Sequence, residues 1–107
     1  MNKNRKILNT LKLELQNKFG DKIDDVILFG SQVKNTHNIY SDYDILIILK
    51  NKTDWKEKNI IRDICYDISL DFDILIDSKI ISLFELKNTF WGKHPLFSNA
   101  IDNGIHA

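Results

Sequence analysis

The order of apolar periodicities along the chain predicts an α/β (α+β) fold of small size, with elements in the order helix, strand, strand, helix, strand, helix. Three observations carry this reading. Ile7, Leu8, Leu11, Leu15 and Phe19 recur at helical spacing. Residues 26–29 (VILF) and 45–49 (ILIIL) are short runs, rich in β-branched residues and too brief for helices. Residues 70–76 (LDFDILI) alternate with a period of two.

The first helix ends at Gly20, where the apolar stripe stops. A strand over 25–29 is stopped by Gly30. Residues 31–43 are polar and read as irregular, with room for one helical turn directly after Gly30. The second strand, 44–49, is apolar at nearly every position, the pattern of a strand covered on both faces. Thr53 or Asp54 can cap a second helix, whose stripe is Trp55, Ile60, Ile61, Ile64, Cys65 and Ile68. In the third strand, 70–76, Leu70, Phe72, Ile74 and Ile76 face one way, and Asp71, Asp73 and Leu75 the other. Ser78 then caps a helix carrying Ile80, Ile81, Leu83, Phe84 and Leu86. Pro95, the only proline, suits the first turn of a last short helix.

Composition narrows the function classes. A length of 107 residues is enough for one domain with one core. Fifteen basic and fifteen acidic side chains cancel, whereas a dedicated nucleic-acid binder carries a basic excess. Cys65 is the single cysteine, so no intrachain disulfide forms, and its place in an apolar stripe reads as a small buried side chain. The N-terminal stretch alternates charged and apolar residues, unlike a signal peptide. No run approaches the roughly 20 apolar residues of a membrane span. The expected location is the cytoplasm. His37, His94 and His106 lie in polar or terminal segments without zinc spacing and read as surface residues. Trp91, beside Gly92, suits either core packing or a partner interface.

One combination of residues points to chemistry. Taken alone, Gly30-Ser31 is an ordinary turn, and Asp42 and Asp44 are solvated loop carboxylates. Asp73 is harder to dismiss, because an unpaired carboxylate inside an apolar strand costs several kcal/mol. Alternation sets Asp42 and Asp44 on one side of the backbone, about 6–7 Å apart. If the third strand pairs with the second, Asp73 faces them, with no Lys or Arg in either strand to neutralise the cluster. Such a cluster calls for a divalent cation, and Mg²⁺ takes carboxylate oxygens, water and substrate phosphates. Gly30 allows close backbone approach, and the amides and hydroxyl after it can donate to an anion. Anion donors beside a metal cluster suit a nucleoside triphosphate.

The stretch FGS, ten further residues, then DYD resembles the G-S-x(10)-D-x-D signature of the DNA polymerase beta-like nucleotidyltransferase superfamily. SDYD, ILIIL and the later FDILI are similar to its minimal, single-domain MNT members, and the closing FSNAIDNGIHA resembles their ending more weakly. The resemblance implies a small nucleotidyltransferase fold with a short mixed sheet of three or more strands flanked by helices. It implies one domain over residues 1–107. Family members carry an arginine shortly after the serine and then a glycine. Here QVKN stands instead, with Lys34 able to supply the charge and Asn35 the positive φ. The family pattern of an apolar residue, Asp, then three apolar residues fits Asp73 and not Asp71, which stands in reserve.

By that resemblance the catalytic and metal-binding residues are Asp42, Asp44 and Asp73, and the nucleotide-binding residues are Gly30, Ser31 and Lys34. Two Mg²⁺ ions are expected, with ATP as substrate. AMP would pass to a protein hydroxyl with release of pyrophosphate, Asp73 accepting the proton. MNT members similar to this chain act as antitoxins, which makes a tyrosine of an HEPN-type toxin the expected acceptor. Two other readings remain open at this level. One is a binding module that neutralises its partner by contact. The other is a small-molecule nucleotidyltransferase completed by a second chain.

Overall fold

The computed structural model describes residues 2–30 and 42–107. Helix α1 (Lys3–Phe19) begins at Asn2, whose side chain accepts from the Arg5 amide at 2.8 Å, and ends at Gly20, with φ +59°. A 3₁₀ turn, Gly20–Lys22, leads into β1 (Ile23–Phe29). Strand β2 covers Tyr43–Leu49. Helix α2 (Trp55–Phe72) is capped by Asp54, which accepts from the Glu57 amide at 2.8 Å. Then come β3 (Ile76–Ser82), α3 (Leu83–Asn88), a 3₁₀ turn over Phe90–Lys93, α4 (Pro95–Asn103) and the two-residue β4 (Ile105–His106).

The sheet order is β3-β2-β1-β4. β1 is antiparallel to both β2 and β4, while β3 runs parallel to β2. β2 is central and all of Ile45–Leu49 is buried, as the unbroken apolar run requires. Alternation divides its side chains between two cores. Tyr43, Ile45, Ile47 and Leu49 join Val26 and Leu28 beneath α1 and α2, where Ile7, Leu11, Leu15, Ile61, Cys65 and Ile68 close the layer. Leu46 and Ile48 join Ile27, Ile81, Phe97 and Ala100 on the other face, beneath α4. Each fully buried Leu or Ile stabilises the fold by about 1.5–3 kcal/mol.

Four details differ from the sequence-based expectation. First, residues 70–72 continue α2, and the third strand is 76–82, not 70–76. Ile61, Cys65, Ile68 and Phe72 are spaced four, three and four, so one helical face carries on through the segment. A short apolar run fits a period of two and one of 3.6 alike, and packing on the first core decides it. Second, Ile80 and Ile81 belong to β3. Ser82, not Ser78, caps the following helix, in a capping box in which Ser82 Oγ accepts from the Glu85 amide. Third, Trp55 lies outside the buried stripe and is 69% exposed. Fourth, β4 adds an edge strand. His106 fixes it, with Nδ1 2.5 Å from Asp25 Oδ2 and Nε2 2.8 Å from the Ile101 carbonyl. Pro95 does open the last helix, behind His94, whose Nδ1 accepts from the Leu96 amide. Trp91 packs edge-on against Phe97.

Candidate active site

The antiparallel pairing of β1 and β2 brings the exit of one and the entry of the other to the same end of the sheet, with Phe29 paired to Asp44. β3, parallel to β2, also enters there. Tyr43 N donates to the Leu75 carbonyl at 2.8 Å. This register sets Asp77 directly beside Asp44, at the spacing of adjacent strands, about 5 Å. Asp44, Asp77 and Lys79 project from one face by alternation. Lys79 Nζ donates to both oxygens of Asp77, at 3.1 and 3.2 Å.

The electrostatics follow from this crowding. The Asp44 carboxyl is held above its ordinary pKa, first by partial burial and then by the negative charge of Asp77. Lys79 opposes that rise, and Asp42 adds to it. Among the described residues, Asp77, Lys79 and Asp42 therefore all act on the Asp44 carboxyl. Gly30 borders it. Its φ is +81°, and a Cβ there would run into the Asp44 carboxylate, 3.2 Å from Cγ and 3.4 Å from Cβ. A glycine is required on both counts, conformation and room.

Of the residues expected from sequence, the structure brings Gly30, Asp42 and Asp44 together. It does not bring Asp73 to them. Asp73 is the exposed C-cap of α2, with φ 54° and ψ 52°, and α2 packs on the sheet face opposite to Asp44. Asp71 is exposed on the last helical turn. Both displacements share one cause: the helix runs to Phe72, which moves strand entry, and the carboxylate that follows it, to Asp77. The expectation that neither strand offers a cation is corrected for the same reason, since Lys79 lies in β3. Asp77 and Lys79 were missed by sequence reasoning. The continued helical stripe through Phe72, followed by ILID at 74–77, is the signal that would have found them. Ser31 and Lys34 lie outside the described residues.

Among the described residues no three His, Cys, Asp or Glu side chains stand close enough to enclose a metal ion by themselves. The donor set is nevertheless all hard carboxylate oxygen, and Mg²⁺ ordinarily uses one or two carboxylates and completes its shell with water and substrate phosphates. The residues fit such an ion shared with a triphosphate. A groove at the opposite end of β2, lined by Phe19, Leu49, Lys52 and Ile61, is bridged by the Lys22–Glu57 ion pair and is remote from these carboxylates.

A glycine turn, a D-x-D pair entering a buried central strand and a third carboxylate on the neighbouring strand stand together at one end of a small mixed sheet as a candidate nucleotidyltransferase-type site. The family profile of the nucleotidyltransferase domain matches residues 8–96, and the chain belongs to that family of enzymes. A Methanocaldococcus jannaschii protein named "Putative protein adenylyltransferase MJ0141" is 39% identical over 84 residues, covering 78% of this chain and 84% of its own length. From the same organism, the similarly named MJ1305 is 34% identical over 77 residues, covering 70% of this chain and 52% of that protein. Two solved structures share the fold at a TM-score of 0.56. One is described as a toxin-antitoxin with AMP-PNP, at 16% identity, with 91% of this chain and 69% of that one covered. The other is an MntA-HpeT toxin-antitoxin mutant, at 15% identity, with 99% and 72% covered.

Proposed function

We propose that this protein moves AMP from ATP to a hydroxyl of a partner protein, a tyrosine of an HEPN-type toxin, and so acts as an antitoxin. The observation that carries the proposal is the meeting of Asp42, Asp44 and Asp77 beside Gly30 at one end of the sheet. The protein adenylyltransferase names of its relatives support the type of acceptor. The AMP-PNP complex and the MntA-HpeT pairing of the structural neighbours support the nucleotide and the toxin. In one neighbour two aspartates, two positions apart, were changed to glutamate. That spacing is the one seen in Asp42-Tyr43-Asp44.

In this reading Asp42 and Asp44 would hold two Mg²⁺ ions, with Asp77 in the role that the family resemblance gave to Asp73. When bound, Mg²⁺ supplies charge neutralisation to the triphosphate and a lowered pKa to the attacking hydroxyl. The chain's own residues do the rest. Gly30, which has no Cβ, leaves the Asp44 carboxylate the room it needs to point into the site. Ser31 and Lys34 contact the triphosphate. Asp77 accepts the proton of the acceptor hydroxyl. Residues 1–107 act as one domain, and the acceptor presents its own hydroxyl to the end of the sheet that carries these carboxylates. Among the described residues no helix is long and apolar enough to cross a membrane, and the reading sets the reaction in the cytoplasm, where ATP is abundant.

The test is incubation with ATP, Mg²⁺ and the protein that co-purifies with it, followed by intact mass analysis and peptide mapping. The expected result is a gain of one or more AMP units on a partner tyrosine, absent with Asp44→Asn. A partner whose mass stays unchanged while it remains bound overturns the enzymatic reading in favour of neutralisation by contact.

A further inference from the structure

Like charges placed directly opposite each other on neighbouring strands destabilise a sheet. Asp44 and Asp77 are such a pair, and Asp42 adds a third negative charge. The fold offers one compensating cation at this locus among the described residues. Lys79 lies two positions beyond Asp77, hence on the same face, and its ammonium spans both Asp77 oxygens. An ammonium in bidentate contact with Asp77 engages both of its carboxylate oxygens and is near enough to Asp44 to oppose the rise of its pKa. A divalent ion shared by the two carboxylates needs the same Asp77 oxygen lone pairs.

We infer that Lys79 is a tethered cation that closes the carboxylate cluster until a divalent ion and a triphosphate arrive together. This rests on the reading that these carboxylates hold metal. The ammonium and the metal compete for Asp77, so the metal alone binds weakly. A triphosphate changes the balance in two ways. It brings further oxygen ligands for the metal, and it offers the displaced ammonium a new anionic partner. Lys79 thereby couples metal entry to nucleotide entry, a reciprocal linkage between the two ligands. It is a positioning residue whose removal strengthens metal binding, the opposite of what loss of an ordinary active-site side chain does.

Mn²⁺ titrated into the nucleotide-free protein, with free ion followed by electron paramagnetic resonance, tests this. Lys79→Met is expected to bind Mn²⁺ about fivefold more tightly than wild type, the upper range for a partly exposed ion pair. Lys87→Met, which removes the same charge from the exposed face of α3, leaves the affinity unchanged. Lys79→Gln gives the same direction as Lys79→Met and guards against a folding defect in either variant. The strengthening of Mn²⁺ binding by α,β-methylene ATP is smaller in Lys79→Met than in wild type. Wild-type Mn²⁺ binding that weakens or stays the same in both Lys79 variants overturns the inference and leaves the carboxylate reading standing. Absence of Mn²⁺ binding from every variant, with and without nucleotide, overturns both.

Discussion

Gly30→Ala separates the conformational demand on the site from the spatial one. Two glycines in the described structure have positive φ, Gly20 at +59° and Gly30 at +81°. An L-residue forced into such a conformation costs about 1–3 kcal/mol. A Cβ on Gly20 meets nothing within 4 Å, whereas a Cβ on Gly30 collides with the Asp44 carboxylate. Both alanine variants are therefore expected to lose about 1–3 kcal/mol of stability in urea denaturation. Only Gly30→Ala must also push the Asp44 carboxylate back, by about 1 Å to reach ordinary contact. A misplacement of about 1 Å in a reacting constellation costs on the order of a hundredfold in rate. The expected outcome is that Gly20→Ala folds less stably but transfers AMP at the wild-type rate. Gly30→Ala, at comparable stability, loses about a hundredfold in kcat and weakens Mn²⁺ binding. If Gly30→Ala keeps full rate and Mn²⁺ affinity, Asp44 is not part of the reacting constellation and the site has been drawn in the wrong place.

Asp77→Asn should abolish transfer while the protein stays folded. Asp73→Gly should keep activity and gain up to about 1 kcal/mol of stability, because glycine suits the left-handed cap at φ 54°; the reverse pattern of activities would show that strand entry lies at Asp73. Metal-free Asp44→Asn should be more stable than wild type at neutral pH. The native Asp44 pKa is raised above 3.8, so its charge opposes folding above that raised value. The gain should shrink as pH falls through it and vanish below 3.8, and denaturation curves in EDTA from pH 3 to 7 check the sign. The His106 pKa is raised above 6.5, first by its bond to Asp25 and next by the Ile101 carbonyl. Its stabilisation is thus fully present below about 6.5 and lost as pH rises through the higher native value. The stability gap between wild type and His106→Gln should accordingly narrow toward alkaline pH, and a gap that widens there would contradict the imidazolium contact.

Much of the site was legible in the residues. The unbroken ILIIL run required a central strand, the apolar stripe of α1 required a helix ending at Gly20, and a glycine at the exit of one strand with D-x-D at the entry of the next marked one end of the sheet. These are local properties: a buried strand is apolar at every position, and a helix repeats every 3.6 residues, whatever surrounds them. The family pattern added the chemistry, and the match over residues 8–96 agrees with it. The boundary at residues 70–76 was not local. LDFDILI satisfies a strand by alternation and a helix by continuation of the Ile61, Cys65, Ile68, Phe72 face, and only the core beneath α2 favours the second. Once that face is filled, Asp73 must cap a helix and Asp77 must enter the sheet. The partner of a carboxylate across a parallel pair depends on register, which the two strands decide only when they meet. Local patterns in the residues were enough to mark the end of β1 and β2 where the candidate site lies. The tertiary structure alone decided which third aspartate, and which lysine, stand beside Asp44.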